Sequence, residues 1–396
     1  MTIVVTGGGS GGHITPILAV ADELKKLKPD ARVVFIGQYG DSYRDVVAAD
    51  PHIDEVFTVR AGKFRRYHGE GWRQLYDVAT QLKNARDAIL VLVGIWQSYW
   101  LLRKIRPDVI FTRGGFVSVP VALGGHLARI PYITHDSDSI PSLANRIIAR
   151  WAAMHAVALP PEVYAYPPEH TVNVGVPVSN NYVPVNARLM EHYRTLLHVQ
   201  QYEQVLFITG GGNGAQNLNK IMIDNVPYLL KRYPHLVVLH IAGSALEAET
   251  NEAYDAVLAK KERARVRVEG FVKDLYRFSG AADVIVARGG ATNLAEFAIQ
   301  GKACLLIPSP QLLWNVKNAQ VLVNRGAVMQ LTEEQAEQEL RVATVLTTLL
   351  DNPMTRDKLA AELSTFAHPG SARELAMLLL DIHTKTIDNK AHGLQT

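Results

Sequence analysis

Three glycine-rich loops and one further glycine turn carry the residues best suited to chemistry. Gly7-Gly8-Gly9-Ser10-Gly11-Gly12-His13 follows the short apolar run 2–6 and precedes a helical pattern. Gly114-Gly115-Phe116-Val117-Ser118-Val119-Pro120 and Gly210-Gly211-Gly212-Asn213-Gly214-Ala215 stand after similar runs. The fourth segment, Arg288-Gly289-Gly290-Ala291-Thr292-Asn293, leads into a helix that contains Glu296. Glycines between a strand and a helix let backbone N–H groups turn toward a phosphate, and the helix N-terminus adds partial positive charge. Gly7, Gly9 and Gly12 also satisfy G-x-G-x-x-G. A dinucleotide enzyme of that kind carries an acidic residue at the end of its second strand to hold ribose hydroxyls. Here that strand ends Phe35-Ile36-Gly37-Gln38, with no carboxylate before Asp41, which argues against it.

Two further side chains suit bond-making. His13 closes the first loop, and an unperturbed imidazole exchanges protons near neutrality. Its plain alternative is a hydrogen-bonding residue at a helix start. Glu296 lies within the first turns of its helix, where a carboxylate can accept from both hydroxyls of a ribose. A favourable charge near the helix dipole is the plain alternative there, and the surrounding glycines favour the ribose reading. The histidines show no His-x-x-x-His or related spacing, so no zinc site is expected. Cys304 is the single cysteine, sits in the apolar run 303–307 and reads as a buried small hydrophobe.

These residues require a framework that brings strand ends together. The chain has 396 residues, too many for one core, which predicts two domains. Strands are expected at 2–6, 32–36, 108–112, 132–134, 155–158 and 172–174, with a helix from Pro16 to Leu27. The pattern restarts with strands at 205–209, 236–241, 266–268, 284–287 and 304–307, and with a helix from about Asn217. This alternation predicts an α/β protein of two Rossmann-like, doubly wound parallel-sheet domains. Ligands bind such sheets outside the carboxyl ends of the strands, so loops shared between two domains imply one cleft between facing domains. Residues 1–178 form the first domain and 185–371 the second, joined through the segment Pro177 to Pro184. The last helix, 372–383, can pack on either domain, and a loose polar tail is expected after about Thr384.

Composition bounds the remaining possibilities. Hydrophobic residues make up 48% and charged residues 20% of the chain, as in ordinary globular proteins. A net charge of +3 is too small to suggest nucleic acid. One cysteine and an N-terminus that opens on a strand point to the cytoplasm. Residues 88–102 are apolar except for Gln97 and Ser98, include Trp96, Tyr99 and Trp100, and run into Arg103, Lys104 and Arg106. This run is shorter than the ~18 residues that cross a bilayer. With Lys63, Arg65, Arg66, Trp72 and Arg73 before it, it suits an interfacial element on anionic lipid, although part of it must pack on the sheet.

As a set, these segments resemble the MurG family of GT-B glycosyltransferases over nearly the whole chain and in the same order. The three glycine loops resemble that family's three loops. His135-Asp136-Ser137-Asp138, with the following helix, resembles its His-Glu-Gln-Asn segment, and Gly175-Val176-Pro177-Val178 its Gly-Asn-Pro-Val. Gly270-Phe271-Val272-Lys273-Asp274 resembles the segment whose backbone holds uracil, and Glu296 falls where the family places its ribose-binding glutamate. The resemblance implies inverting transfer of N-acetylglucosamine from a UDP donor to a lipid-linked acceptor on the cytoplasmic face of the membrane, in cell-wall synthesis. It implies donor contacts at Ser10, Gly11, Gly12, Gly211, Gly212, Asn213, Phe271, Val272, Gly290, Ala291, Thr292, Glu296 and Asn315. Acceptor pyrophosphate contacts are implied at Gly114, Gly115 and Ser118. His13 is the first choice for the base, with Asp138, Asp136 and His135 beside it. Asp136-Ser137-Asp138 also spells Asp-x-Asp, which holds a divalent metal in another glycosyltransferase fold. The His-Glu-Gln-Asn match explains it better, so no cofactor or obligate metal is expected. Departures cluster in the sugar site, at Ser137, Asp138, Gly212, Asn213, Trp314, Asn315 and Ser179. The alternatives are a related UDP-sugar transferase with another donor or lipid acceptor, a UDP-sugar 2-epimerase or hydrolase of the same architecture, and a non-catalytic UDP-sugar-binding relative.

Overall fold

The computed structural model describes residues 1–8, 11–41, 43–63, 78–212 and 214–391. The chain divides into two compact units, Met1–Ser179 with Gly370–Thr396, and Asn180–Pro369.

In the first unit the strands are β1 (Thr2–Thr6), β2 (Arg32–Gln38), β3 (Glu55–Val59), β4 (Val109–Thr112), β5 (Tyr132–Asp136), β6 (Met154–Val157) and β7 (Thr171–Asn173). They form one parallel sheet in the order β3-β2-β1-β4-β5-β6-β7. Sequence order reverses between β1 and β4, so their carboxyl ends border the crevice where such sheets bind ligands. The first two glycine loops leave those two strands. Ile3, Val5, Val33, Val109 and Phe111 bury one face of the sheet against the helices Gly11–Leu27 and Ser371–Ala391. The final helix thus belongs to the first unit. It begins with Ser371, whose hydroxyl donates to the Val176 carbonyl at 2.6 Å. It continues to Ala391, well past the point at which a loose tail was expected.

The other face carries the helices Val78–Ile105 and Ser118–Leu127. They approach closely because small residues meet. A Cβ on Gly124 would stand 2.8 Å from Ser98 Cβ, and one on Gly94 would stand 2.0 Å from the Arg60 carbonyl oxygen. The helix Val78–Ile105 has 28 residues, longer than the apolar run 88–102 suggests. By length and composition it could cross a membrane, and only 22% of its apolar window is buried, unlike a helix of a protein core.

The second unit holds β8 (Gln204–Thr209), β9 (Leu236–Ile241), β10 (Val266–Glu269), β11 (Val284–Ala287), β12 (Ala303–Leu306) and β13 (Met329–Gln330). All are parallel, in the order β10-β9-β8-β11-β12-β13. Here the order reverses between β8 and β11, and the third and fourth glycine segments leave those two strands. Leu206, Ile208, Val284 and Val286 pack on one side, and Phe207, Ile285, Phe278 and Phe297 on the other. Cys304 is fully buried in that second cluster.

Candidate functional site

At the β1–β4 crevice the loops touch. A Cβ on Gly115 would stand 2.9 Å from the Gly8 carbonyl oxygen, and one on Gly7 would stand 3.2 Å from Arg113 Cβ. Gly114 and Gly115 take φ of +82° and +77°, the left-handed region that favours glycine. The helix after the first loop starts at Gly11 rather than Pro16, so Gly11, Gly12 and His13 form its first turn. Pro16 lacks the N–H that would bond the Gly12 carbonyl. The Arg113 guanidinium approaches that carbonyl instead, at 3.5 Å.

His13 is partly exposed, and its Nδ1 lies 3.2 Å from the Arg113 carbonyl oxygen. Desolvation and the Arg113 guanidinium push its pKa down to about 4, so the ring is neutral at neutral pH. Arg113 is 4% exposed, and its Nε has no hydrogen-bond partner. Burial lowers its own pKa to about 10, opposed by the nearby charges of Asp138 and Asp136.

The other three catalytic candidates separate in kind. Asp136 is buried, and its carboxylate accepts from Tyr166 Oη at 2.7 Å, Asn145 Nδ2 at 2.8 Å and the Ser142 N–H at 3.2 Å. Those bonds tie β5 to the helix Leu143–Ile148, and burial raises the Asp136 pKa. His135 is 1% exposed and donates through Nε2 to the Gly175 carbonyl at 2.8 Å, which likewise removes it from solvent. Asp138 is partly exposed and near the Arg113 charge. The buried Ser118 hydroxyl donates to the Gly114 carbonyl at 2.6 Å and so braces the second glycine loop. Ser137 is buried, with Oγ unpaired. Among the described residues no group of three or more His, Cys, Asp or Glu forms a metal site.

At the β8–β11 crevice Gly211, Gly214 and Gly289 have φ of +87°, +73° and +89°. A Cβ on Gly214 would stand 2.0 Å from the Ala242 carbonyl oxygen, while around Gly290 there is open space. A Cβ on Gly211 would stand 3.8 Å from Asn293 Oδ1, so the two turns adjoin. Gly212 is exposed, and Ala291 and Thr292 are partly so, at the N-terminus of the helix Ala291–Gln300. Glu296, on the same helix, is 3% exposed. Burial pushes its pKa up to about 7, against the bonds that it accepts from Asn293 and Tyr182. Phe271 is 57% exposed after β10, and Val272 is half-buried. Trp314 is 41% exposed, whereas Asn315 is buried with its carbonyl against Gly289.

Arg113, Tyr182 and Arg288 were not among the expected site residues. Arg288 is buried, pairs with Glu333 and donates to the Ile307 carbonyl at 3.3 Å. A signal for two of them exists. Arg113-Gly114-Gly115 and Arg288-Gly289-Gly290 are the same tripeptide after the equivalent strand of each unit. Ser10, Asn213, Arg65, Arg66, Trp72 and Arg73 lie outside the described residues, and Lys63 is exposed at their edge.

Away from the crevices, the helix Val78–Ile105 turns small or polar residues inward and large apolar ones outward. Asp87, Gly94, Ser98 and Leu102 are buried, whereas Leu82, Ile89, Leu92, Trp96 and Trp100 are 55–67% exposed. Arg103 and Lys104 are exposed at its end, and Arg103 donates to Tyr99 Oη at 2.8 Å.

Two doubly wound parallel-sheet units, each with glycine turns at its crevice, make up the GT-B fold. A family model described as the glycosyltransferase family 28 N-terminal domain matches residues 3–157, and one for the C-terminal domain of that family matches residues 205–375. The chain belongs to glycosyltransferase family 28 and, within it, to the MurG family. A relative in Bacillus thuringiensis, named UDP-N-acetylglucosamine–N-acetylmuramyl-(pentapeptide) pyrophosphoryl-undecaprenol N-acetylglucosamine transferase 3, is 32% identical over 84% of this chain and 87% of its own length. A transferase of the same name, without the number, from Natranaerobius thermophilus is 27% identical over 96% of this chain and 99% of its own. The fold is similar to that of Acinetobacter baumannii MurG, with a TM-score of 0.69 and 19% identity over 96% of this chain and 99% of that one. It is also similar to UDP-GlcNAc 2-epimerase from Neisseria meningitidis, with a TM-score of 0.64 and 14% identity over 96% of this chain and all (100%) of that one.

Proposed function

We propose that this chain transfers N-acetylglucosamine, with inversion, from UDP-N-acetylglucosamine to a muramyl sugar carried on a polyprenyl pyrophosphate, in peptidoglycan synthesis at the cytoplasmic face of the membrane. The near-full-length match to transferases named for that reaction carries the reading.

In this reading the second unit holds the donor. Glu296 accepts from the ribose hydroxyls, backbone groups of Phe271 and Val272 meet the uracil, and Asn315 and Trp314 lie toward the sugar. The N–H groups at Gly211, Gly212 and Gly290 to Thr292 meet the diphosphate, whose charge grows as UDP leaves. The proposal assigns that charge to loop N–H groups and helix N-termini, with no obligate metal. In the first unit the loop at Gly114 and Gly115 takes the acceptor diphosphate beside the Arg113 guanidinium, and Gly11 and Gly12 lie toward the donor. A carbonyl can only accept, so His13 Nδ1 carries the hydrogen and Nε2 keeps its lone pair. As the acceptor hydroxyl bonds to the sugar C1 and the C1–O bond to UDP breaks, His13 Nε2 takes the hydroxyl proton. An acceptor diphosphate opposite Arg113 offsets the field that depresses His13 and makes it a stronger base.

Membrane attachment is assigned to the outward face of the helix Val78–Ile105, with Trp96, Trp100, Lys63, Arg65, Arg66 and Trp72. The buried Asp87, and the contacts of Gly94 and Ser98 with the unit's own backbone and helices, suit a helix lying on the surface rather than crossing it. The test of the reading is acceptor-dependent release of UDP from UDP-N-acetylglucosamine. Release without acceptor, or formation of a UDP-sugar epimer, would instead favour hydrolase or epimerase chemistry.

A further inference from the structure

The Glu296 carboxylate already has a partner from outside its own helix. Tyr182 lies in the segment that opens the second unit, and its hydroxyl donates to Glu296. Tyr182 is 9% exposed and Glu296 3%, so the bond is shielded from water. Asn293 Nδ2 donates to Glu296 Oε2 at 2.9 Å. The segment is fixed at a second point, where the Val185 N–H donates to the Gln300 carbonyl at 3.4 Å. The chain from Tyr182 to Val185 therefore runs along the helix Ala291–Gln300. Behind Tyr182 stands Tyr276, edge-on at 6.2 Å between ring centroids, and behind that Tyr193 at 5.8 Å. The Tyr276 carbonyl accepts from Gln300 Nε2 at 2.7 Å. Tyr182 is thus held by packing independently of its hydroxyl.

An ionised carboxylate offers about four acceptor positions. Among the described residues Asn293 and Tyr182 use two, which leaves two for a pair of vicinal hydroxyls. We propose that Tyr182 is a positioning residue for nucleotide recognition, which holds the buried Glu296 carboxylate in the place and form in which both ribose hydroxyls can donate to it. This rests on the reading of Glu296 as the ribose ligand.

Among the described residues the groups that bond Glu296 are the Asn293 amide and the Tyr182 phenol. Tyr182 bonds it, Tyr276 stands against Tyr182, and Arg277 donates to Tyr276 Oη at 3.0 Å one step further back. Among the described residues no cation lies within ion-pair distance of Glu296. Burial already brings its pKa to about 7, and the Tyr182 bond works against that rise. Without the phenol hydroxyl the pKa moves higher, and at neutral pH the carboxyl becomes a donor that cannot receive both hydroxyls.

The experiment titrates UDP and 2′-deoxyuridine diphosphate by calorimetry, from pH 6 to 9, into the full chain and its Tyr182→Phe and Glu296→Ala variants. Tyr182→Phe removes one oxygen and keeps the ring stack. Losing a hydrogen bond to a charged group predicts UDP affinity weakened roughly ten- to thirtyfold at pH 7. The deficit should shrink toward pH 9, and Tyr182→Phe should discriminate less between UDP and its 2′-deoxy analogue. Unchanged UDP affinity in Glu296→Ala would overturn the ribose reading itself. If Glu296→Ala weakens binding while Tyr182→Phe matches the parent at every pH, the positioning role is wrong. Tighter binding by Tyr182→Phe, or a deficit that does not vary with pH, also overturns it.

Discussion

Nδ1 of His13 lies 3.2 Å from the carbonyl oxygen of Arg113, across the point where the order of the first sheet reverses. One residue thus fixes the tautomer of the ring through its backbone and lowers its basicity through its side chain. His13→Gln should lower kcat by about 10²- to 10⁴-fold, the usual range for a general base, while UDP affinity stays within about twofold. Stopped-flow or steady-state kinetics beside calorimetric UDP binding check this. Equal losses in kcat and in UDP affinity would mean that His13 shapes a binding site rather than moving a proton.

Arg113 should matter to the acceptor and not to the donor. Its buried guanidinium has an unpartnered Nε, whereas the equivalent Arg288 is paired with Glu333. Arg113→Met should raise KM for the lipid-linked acceptor by about tenfold or more, the scale of a lost charge-assisted bond, and leave KM for UDP-N-acetylglucosamine nearly unchanged. Arg288→Met should instead lower the melting temperature, because it leaves Glu333 without its ion-pair partner. Reversal of the two phenotypes would contradict the assignment.

The sign of the pH effect on donor binding follows from Glu296. Its pKa in the free protein is about 7, and the form that accepts two ribose hydroxyls is the carboxylate. UDP affinity should therefore be full above pH 8 and fall as pH drops through 7. Glu296→Ala should weaken UDP about ten- to a hundredfold at pH 8 and abolish the pH dependence, with the circular dichroism spectrum unchanged. A pH-independent affinity in the parent protein would show that Glu296 is not the ligand.

Trp96 and Trp100 are 66% and 55% exposed on a helix whose buried side includes Asp87, Gly94 and Ser98. Serine at both positions should reduce sedimentation with anionic vesicles by about tenfold without unfolding the chain, and added salt should weaken the parent's binding. Unfolding of the double variant, with vesicle binding indifferent to charge, would show that the face is a packing surface.

Donor selectivity tests the altered sugar site. Asn315 keeps an amide with shorter reach than glutamine, and Trp314 offers an indole face with one N–H. UDP-N-acetylglucosamine should be the best donor, with loose discrimination against its 4-epimer. The ratio of kcat/KM for the two should rise on changing both residues to Gln. A high ratio that the double change leaves unmoved would place selectivity elsewhere.

Much of the framework was readable because buried parallel strands are nearly continuous apolar runs. β1, β9 and β11 appear in the sequence with the bounds they have in the fold. β3 was not readable, since it is a half-buried edge strand containing Glu55 and Thr58, nor was β13, which has two residues. The start of the first helix was hidden because Gly11, Gly12 and Pro16 all oppose helix formation. Burial of Ile14 and Ile17 in the core overrides them. The long helix Val78–Ile105 was under-read because its first turns, with Gln81, Lys83 and Asn84, are polar. Within the site, Glu296 and the glycine turns announce themselves by spacing along the chain. The bonds that Asp136 accepts do not, because its partners Asn145 and Tyr166 are distant in sequence. Tyr182 was hidden for the same reason.

Transfer of a sugar to a lipid-linked acceptor can be read from the mass of the acceptor itself. Incubated with UDP-N-acetylglucosamine and a soluble polyprenyl-pyrophosphate-linked muramyl pentapeptide, the acceptor should gain one N-acetylhexosamine for each UDP released, and His13→Gln should do this far more slowly. Release of UDP with the acceptor's mass unchanged would contradict the account.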